Sequence, residues 1–410
     1  MKFLRDLANT TPINDTIFTI VKKAKADIAL NGPDKVINAT IGTLCDEDAQ
    51  LVAFKSVYNS YNTIDDKVKA SYAQSFVGNK EYMDSVDKWL YGDIDLKLKR
   101  KGIATIGGSS AISATFLNSL DPNETVIFPN VAWGSYKLMA DQYALQSATY
   151  NILKDDKFDF NSFKEVILDT AKKQERILVV INDPCHNPTG YSMSEDEWED
   201  VIDFVNKLSK KTPVIILNDI AYIDFAFNKD NRNYMQKFNN IGNNVAVFTA
   251  FTTSKSLTQY GLRCGALIMM TQSENDVEDL FIVYEKTARG IWSNVPNGAM
   301  VNFCKTVEDN KDQYLKEKEF YTNLLKQRAQ LFVDQAKECG LITYKFKEGF
   351  FVTLKIDNET RDKLHNELME NHIYTIKTNL GIRVAICSTP LSKIDGLAFK
   401  IKEVLDSLEK

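Results

Sequence analysis

Short apolar runs alternating with longer, charge-studded stretches restrict the fold more than any other feature of this chain. The runs are Val126-Ile127-Phe128, 177–181, 214–217, 245–250 and 266–270. Continuous apolar stretches of this length suit strands buried on both faces, and intervening segments such as 194–209 read as helices. Such alternation predicts an α/β fold with a mostly parallel sheet between helices. From Asp312 to Lys337 the pattern changes: Leu315, Phe320, Leu324, Leu325, Leu331, Phe332 and Ala336 recur at helical spacing, and Gly340 follows as a C-cap. This predicts a long helix leaving a large domain for a smaller α/β domain. With 410 residues about two domains are expected. The expected division is an N-terminal segment 1–45 that contributes to the small domain, a large domain 46–320, and a C-terminal small domain 321–410.

Charge and cysteine usage narrow the function classes. A formal net charge of −5 with 26% charged residues gives no reason to expect nucleic-acid binding. No apolar run approaches the roughly 18 residues of a membrane helix, and Met1-Lys2-Phe3-Leu4-Arg5-Asp6 lacks a signal-peptide core. Six scattered cysteines without a Cys-x-x-Cys pair, and only three histidines, argue against a zinc site. The expectation is a cytoplasmic protein with reduced thiols and no metal.

Lys255 carries the strongest chemical signal. It lies in Thr252-Thr253-Ser254-Lys255-Ser256, straight after an apolar run, with Arg263 eight positions on. An amine at the end of a buried strand is placed to form an imine with an aldehyde, and hydroxyls with a guanidinium are what a phosphate needs. One aldehyde cofactor carries a phosphate: pyridoxal 5′-phosphate. Three further fragments stand in order along the chain. They are Asn187-Pro188-Thr189-Gly190 after the strand-like 177–181, Asp219-Ile220-Ala221-Tyr222 closing another strand, and Arg383 in Gly381-Ile382-Arg383-Val384.

Asn-Pro-Thr-Gly, Asp-x-x-Tyr, Ser-Lys and Arg in this order resemble the class I aminotransferases of the pyridoxal-phosphate-dependent fold type I. The resemblance is nearest to the aspartate and aromatic branch and runs from about Gly42 to Arg383. It implies the corresponding fold, with 46–320 as the cofactor-binding domain, and Lys255 as Schiff-base lysine and proton shuttle. Asp219 would face the ring nitrogen and keep it protonated. Tyr222 and Asn187 would donate to the ring 3′-oxygen. Gly107, Gly108 and Ser109 at a helix start, with Thr252 and Arg263, would hold the phosphate. Trp133 would stack on the ring, and Tyr72 resembles a tyrosine lent to the neighbouring subunit's phosphate. On the substrate side, Arg383 would fork onto the α-carboxylate, Gly42 would let that carboxylate approach, and Arg289 would reach a side-chain carboxylate across a dimer interface.

The implied activity moves an amino group between an aspartate-like or aromatic amino acid and a 2-oxo acid such as 2-oxoglutarate. A homodimer with shared sites, working in amino-acid metabolism and biosynthesis, goes with it. Some residues depart from the branch. Tyr136 stands where aspartate aminotransferases commonly carry a histidine, and Tyr72 is one residue further from Gly78 than expected. These departures put strict aspartate specificity in doubt. Two alternatives keep the cofactor: a C–S β-lyase or decarboxylase on the same fold, and a non-enzymatic cofactor-binding regulator. The regulator reading needs an N-terminal helix-turn-helix domain, for which a match beginning by about residue 40 leaves no room.

Overall fold

A computed structural model describes residues 3–4, 6–12 and 16–408. Residues 1–2, 5 and 13–15, which belong to the expected segment 1–45 and to the start read for a signal peptide, lie outside the described residues, as do 409–410.

Each of the five apolar runs forms a strand. The main sheet has seven: β1 Lys99–Thr105, β2 Thr125–Pro129, β3 Gln146–Tyr150, β4 Ile177–Asn182, β5 Val214–Asp219, β6 Val245–Thr252 and β7 Gly265–Thr271. Their order is β1-β7-β6-β5-β4-β2-β3. β7 runs antiparallel to β1 and β6, and every other neighbouring pair is parallel. Strand β4 is buried at every position, and its side chains alternate between two cores. Ile177, Val179 and Ile181 enter one, Leu178 and Val180 the other, so both faces of the sheet are covered. That is why the run is apolar throughout.

Parallel strands place their C-terminal ends along one rim. Asn182 and Asp219, the ends of β4 and β5, pair in the register, and Asp219 pairs with Ala250, two residues before the end of β6. Helix α1 (Gly107–Ser119) starts directly after β1 at the same rim. Helix α2 (Ser135–Gln142) follows β2. Helix α3 (Glu195–Ser209) opens on a capping box in which Ser194 and Glu197 satisfy each other's backbone N–H groups.

A second, three-stranded sheet is built from β8 (Phe351–Leu354), β9 (Ile376–Thr378) and β10 (Gly381–Ala385), in the order β8-β10-β9. Its core gathers Val352, Leu354, Ile382 and Val384 with Phe332 and Ala336 of the long helix α4 (Lys311–Glu338). This is the helix expected over 312–337. It ends in a Schellman arrangement: Gly340 has φ +72°, and Leu341 N–H donates to Ala336 O at 2.8 Å. Phe320 departs from the expected apolar stripe, being 64% exposed, because the N-terminal half of α4 buries a narrower face. Ile37 and Ala39 join the same core, and Ile37–Asn38 pairs in parallel with Ile373–Tyr374.

The loop before β8 ties the second sheet to the first. Lys347 and Glu348 N–H donate to Gly190 O at 2.8 and 2.9 Å. The buried Glu348 carboxylate accepts from Ser192 Oγ and from Phe227 N–H, both at 2.6 Å. Phe350 and Phe351 are thereby held against the rim. Among the described residues no helix is long and apolar enough to cross a membrane.

Candidate active site

Lys255 lies just beyond the end of β6, on the single helical turn Thr253–Ser256, whose N-cap Thr252 accepts from Ser254 N–H at 3.2 Å. Its Nζ donates to Gly42 O at 2.6 Å. The rings of Tyr260, Tyr222 and Phe350 surround it, with centroids 4.9, 5.4 and 5.9 Å away. Burial pulls its pKa down to about 8; the Cys387 thiol opposes this, and the Arg383 and Arg263 charges add to it. A lysine so depressed keeps roughly a tenth of its amine neutral at pH 7, where an ordinary one keeps well under a thousandth.

Asp219 ends β5. Its Oδ2 accepts from Tyr136 Oη at 2.5 Å and its Oδ1 from Ala221 N–H at 3.1 Å. Asn182, on the neighbouring strand end, donates to the Asp219 carbonyl at 2.8 Å. Burial pushes the carboxyl pKa up to about 6 against both of those side-chain hydrogen bonds.

An anion cradle faces these two groups. Gly107 has φ +69°, and a Cβ there would stand 2.5 Å from Arg263 Nη2; only glycine lets the guanidinium approach the start of α1. Arg263 Nη1 donates to Ser254 Oγ at 3.0 Å and to Tyr260 O at 2.8 Å. Bare N–H groups at the α1 N-terminus, the hydroxyls of Ser109, Thr252 and Ser254, and this guanidinium suit a phosphate dianion.

A cavity of about 230 Å³ joins the three parts. Of the residues expected at the site, it is lined by Gly108, Ser109, Trp133, Asn187, Asp219, Tyr222, Thr252, Lys255 and Arg263. Gly107 lies behind Arg263. Gly42 meets the site through its carbonyl, and a Cβ on it would press to 2.8 Å from Phe351 Cζ. Arg383 is buried beside the cavity: its guanidinium lies 4.2 Å from the Phe351 ring centroid and donates to Thr40 O at 2.8 Å and Asn187 Oδ1 at 3.3 Å. Its Nε has no partner among the described residues, so the fork retains donor capacity for a carboxylate.

Tyr72 and Arg289 are not brought to the cavity by a single chain. Tyr72 is 86% exposed. Arg289 is exposed too, lying over the Phe76 ring at 4.5 Å and donating to Ser293 Oγ at 2.7 Å. Neither lines the cavity. Four contributors were not read from the sequence: Ser254, Tyr260, Phe350 and the Tyr136 hydroxyl. Ser254 and Tyr260 lie within five residues of Lys255 and could have been found there; Phe350 and Tyr136 arrive from distant segments.

The parts fit pyridoxal phosphate. The glycine cradle admits a phosphate, the Lys255 amine has no carboxylate partner among the described residues, and a buried carboxylate ends the adjacent strand.

A family model described as "Aminotransferase class I and II" matches residues 34–401. The chain is 22% identical to the mitochondrial aspartate aminotransferase of Saccharomyces cerevisiae, covering 90% of this chain and 88% of that one. A crystal structure of an aminotransferase from Anaerococcus prevotii superposes with a TM-score of 0.95 at 33% identity, covering 100% of both chains. The aromatic-amino-acid aminotransferase of Burkholderia pseudomallei, solved covalently bound to pyridoxal phosphate, shares the fold at a TM-score of 0.79. It is 21% identical, covering 98% of this chain and 100% of that one.

Proposed function

The chain belongs to the class I and II aminotransferases, and from that premise we propose that it transfers an amino group between an aspartate-like or aromatic amino acid and a 2-oxo acid such as 2-oxoglutarate. The observation that carries this reading is the convergence of the Lys255 amine, the Asp219 carboxylate and the Arg263 guanidinium on one cavity. When bound, pyridoxal phosphate supplies an aldehyde that accepts the amino group and a ring that withdraws electrons from the substrate α-carbon.

The chain's own residues do the rest. Gly107, Gly108, Ser109, Thr252, Ser254 and Arg263 hold the phosphate through backbone N–H groups, hydroxyls and a guanidinium. Trp133 supports the ring face, and Tyr222 and Asn187 present donors to its phenolic oxygen. Asp219 holds the proton on the ring nitrogen, because a buried carboxylate pairs best with a cationic N–H. Lys255 would hold the cofactor through its amine and would move a proton at the substrate α-carbon; its depressed pKa favours the neutral amine this needs. Arg383 binds the α-carboxylate and orients the substrate, with Gly42 leaving room for it.

Tyr72 and Arg289 complete the site from a second copy of the chain, which accounts for their exposure in one copy. This makes the working form a homodimer. The N-terminal segment 1–45 and residues 321–410 form the small domain beside the large domain 46–320. A cytoplasmic place in amino-acid biosynthesis goes with the reading. The β-lyase, decarboxylase and regulator alternatives are not favoured, the named relatives being aminotransferases.

The test is to load the protein with pyridoxal phosphate and add single amino acids. Aspartate, glutamate, phenylalanine or tyrosine should bleach the cofactor's long-wavelength band and release the matching 2-oxo acid. No 2-oxo acid from any of them would overturn the proposal.

A further inference from the structure

Tyr136, in the first turn of α2, is fully buried, and two aromatic rings fix its orientation. Phe128 lies 6.0 Å away and Trp133 5.6 Å away, the latter edge-on at 83°. Its hydroxyl, 2.5 Å from Asp219 Oδ2, is the one side-chain donor hydrogen-bonded to that carboxylate among the described residues. We propose that Tyr136 is a positioning residue for the reaction: it holds Asp219 in a single orientation at the cavity and keeps it an anion. The proposal rests on the role given to Asp219 above.

The geometry supports both halves. A carboxylate at a strand end can rotate about χ2, and donors on both oxygens remove that freedom, Tyr136 on one and Ala221 N–H on the other. Each oxygen keeps a lone pair for a further donor. The titratable and charged groups facing the pair are Tyr150 and Tyr222, with Lys255 and Arg263 across the cavity. None of these hydrogen-bonds Asp219, so the Tyr136 hydroxyl and the Ala221 N–H together offset the cost of burying the charge, Tyr136 the more strongly of the two. Burial and the neighbouring carboxylate push the Tyr136 hydroxyl upward, so it remains a donor throughout the working pH range. An imidazole in its place would titrate; the phenol leaves Asp219 as the only member of the pair that changes charge.

The test follows the Asp219 carboxyl by infrared spectroscopy in full-length protein dialysed free of cofactor, the band being identified by its loss in Asp219→Asn. In Tyr136→Phe the protonation midpoint should rise by about one pH unit, a tenfold change in proton affinity. Tyr136→His, whose ring can donate and also carry positive charge beside the carboxylate, should place it below the native value. In the loaded enzyme, Tyr136→Phe should lower kcat about fivefold near pH 6 with KM little changed, and the acid limb of the pH profile should follow the infrared midpoint. If Tyr136→Phe does not fold, the downward displacement in Tyr136→His carries the test. An unmoved midpoint in the folded variants would overturn the role of Tyr136 alone. If Asp219→Asn keeps full turnover, the role of Asp219 falls, and the positioning role with it.

Discussion

The strand-end rim and the surface that carries Tyr72 and Arg289 differ in what one chain can finish. At the rim, Asp219, Lys255 and Arg263 are fixed by register, burial and short hydrogen bonds, and they face a common cavity. On the outer surface, Arg289 has a neighbouring hydroxyl and a ring for company, and Tyr72 stands almost fully in solvent. Groups proposed for the chemistry are held by the sheet; Arg289, proposed to read the substrate's side chain, and Tyr72, proposed for the phosphate, lie on a surface that one chain leaves exposed. Chemistry and selectivity should therefore fail separately.

The largest effect belongs to the rim. Lys255→Ala removes the amine proposed to hold the cofactor and move the proton, so turnover should fall by at least about a thousandfold for every substrate. Single-turnover assays on aspartate and phenylalanine check this, and a loss confined to one of them would break the division just drawn. Asp219→Asn comes next. A neutral amide cannot hold a cationic ring nitrogen, and removing one such electrostatic partner costs about 10²- to 10³-fold in kcat. Cofactor affinity, measured by equilibrium dialysis, should change far less, because the phosphate cradle is untouched; equal small losses in both would reduce Asp219 to a structural role.

Arg289 probes the other surface. Losing the partner of a substrate's distal carboxylate costs about 2–3 kcal/mol, or roughly 30- to 160-fold in kcat/KM, for dicarboxylic substrates. Phenylalanine should be much less affected. Mixing Arg289→Ala chains with Lys255→Ala chains sharpens the point. If the arginine crosses between subunits, each mixed dimer holds one intact and one doubly defective site, and dicarboxylate activity reappears. Failure to regain it would return Arg289 to its own chain.

The smallest effect is a pH dependence. Because burial holds Lys255 near 8, the neutral amine grows about tenfold between pH 7 and pH 9. The rate at which cofactor-free protein captures pyridoxal phosphate should rise about tenfold over that interval and level off, as followed by stopped-flow absorbance. A rate still climbing steeply above pH 9 would mean an ordinary lysine.

Legibility in the sequence followed burial. The five central strands could be read because both their faces are covered, as at Ile177–Asn182. The edge strands could not: Lys99-Arg100-Lys101-Gly102 and Gln146-Ser147 carry polar side chains because an edge is half open to water. Phe320 misled for the converse reason, since helical spacing alone does not say which turns of a long helix are covered. At the site, Lys255 and Asp219 stood out because each closes an apolar run. Tyr136 meets Asp219 across 83 residues, and no local pattern reports such a meeting.

The segment from Thr40 to Asp46 has a consequence for folding. It is fastened to Arg383, Lys255, Tyr260 and Arg328, at sequence separations of 343, 213, 216 and 283 residues. Contacts that close such large loops meet their entropic cost before they return any stability, so they form late. The main sheet, whose parallel neighbours lie far closer in sequence, can order first and leave the Lys255 amine open at its rim. The segment can dock fully only after the last of these anchors in sequence, Arg383, has folded into its own strand, so the Lys255 amine gains its Gly42 partner late in assembly.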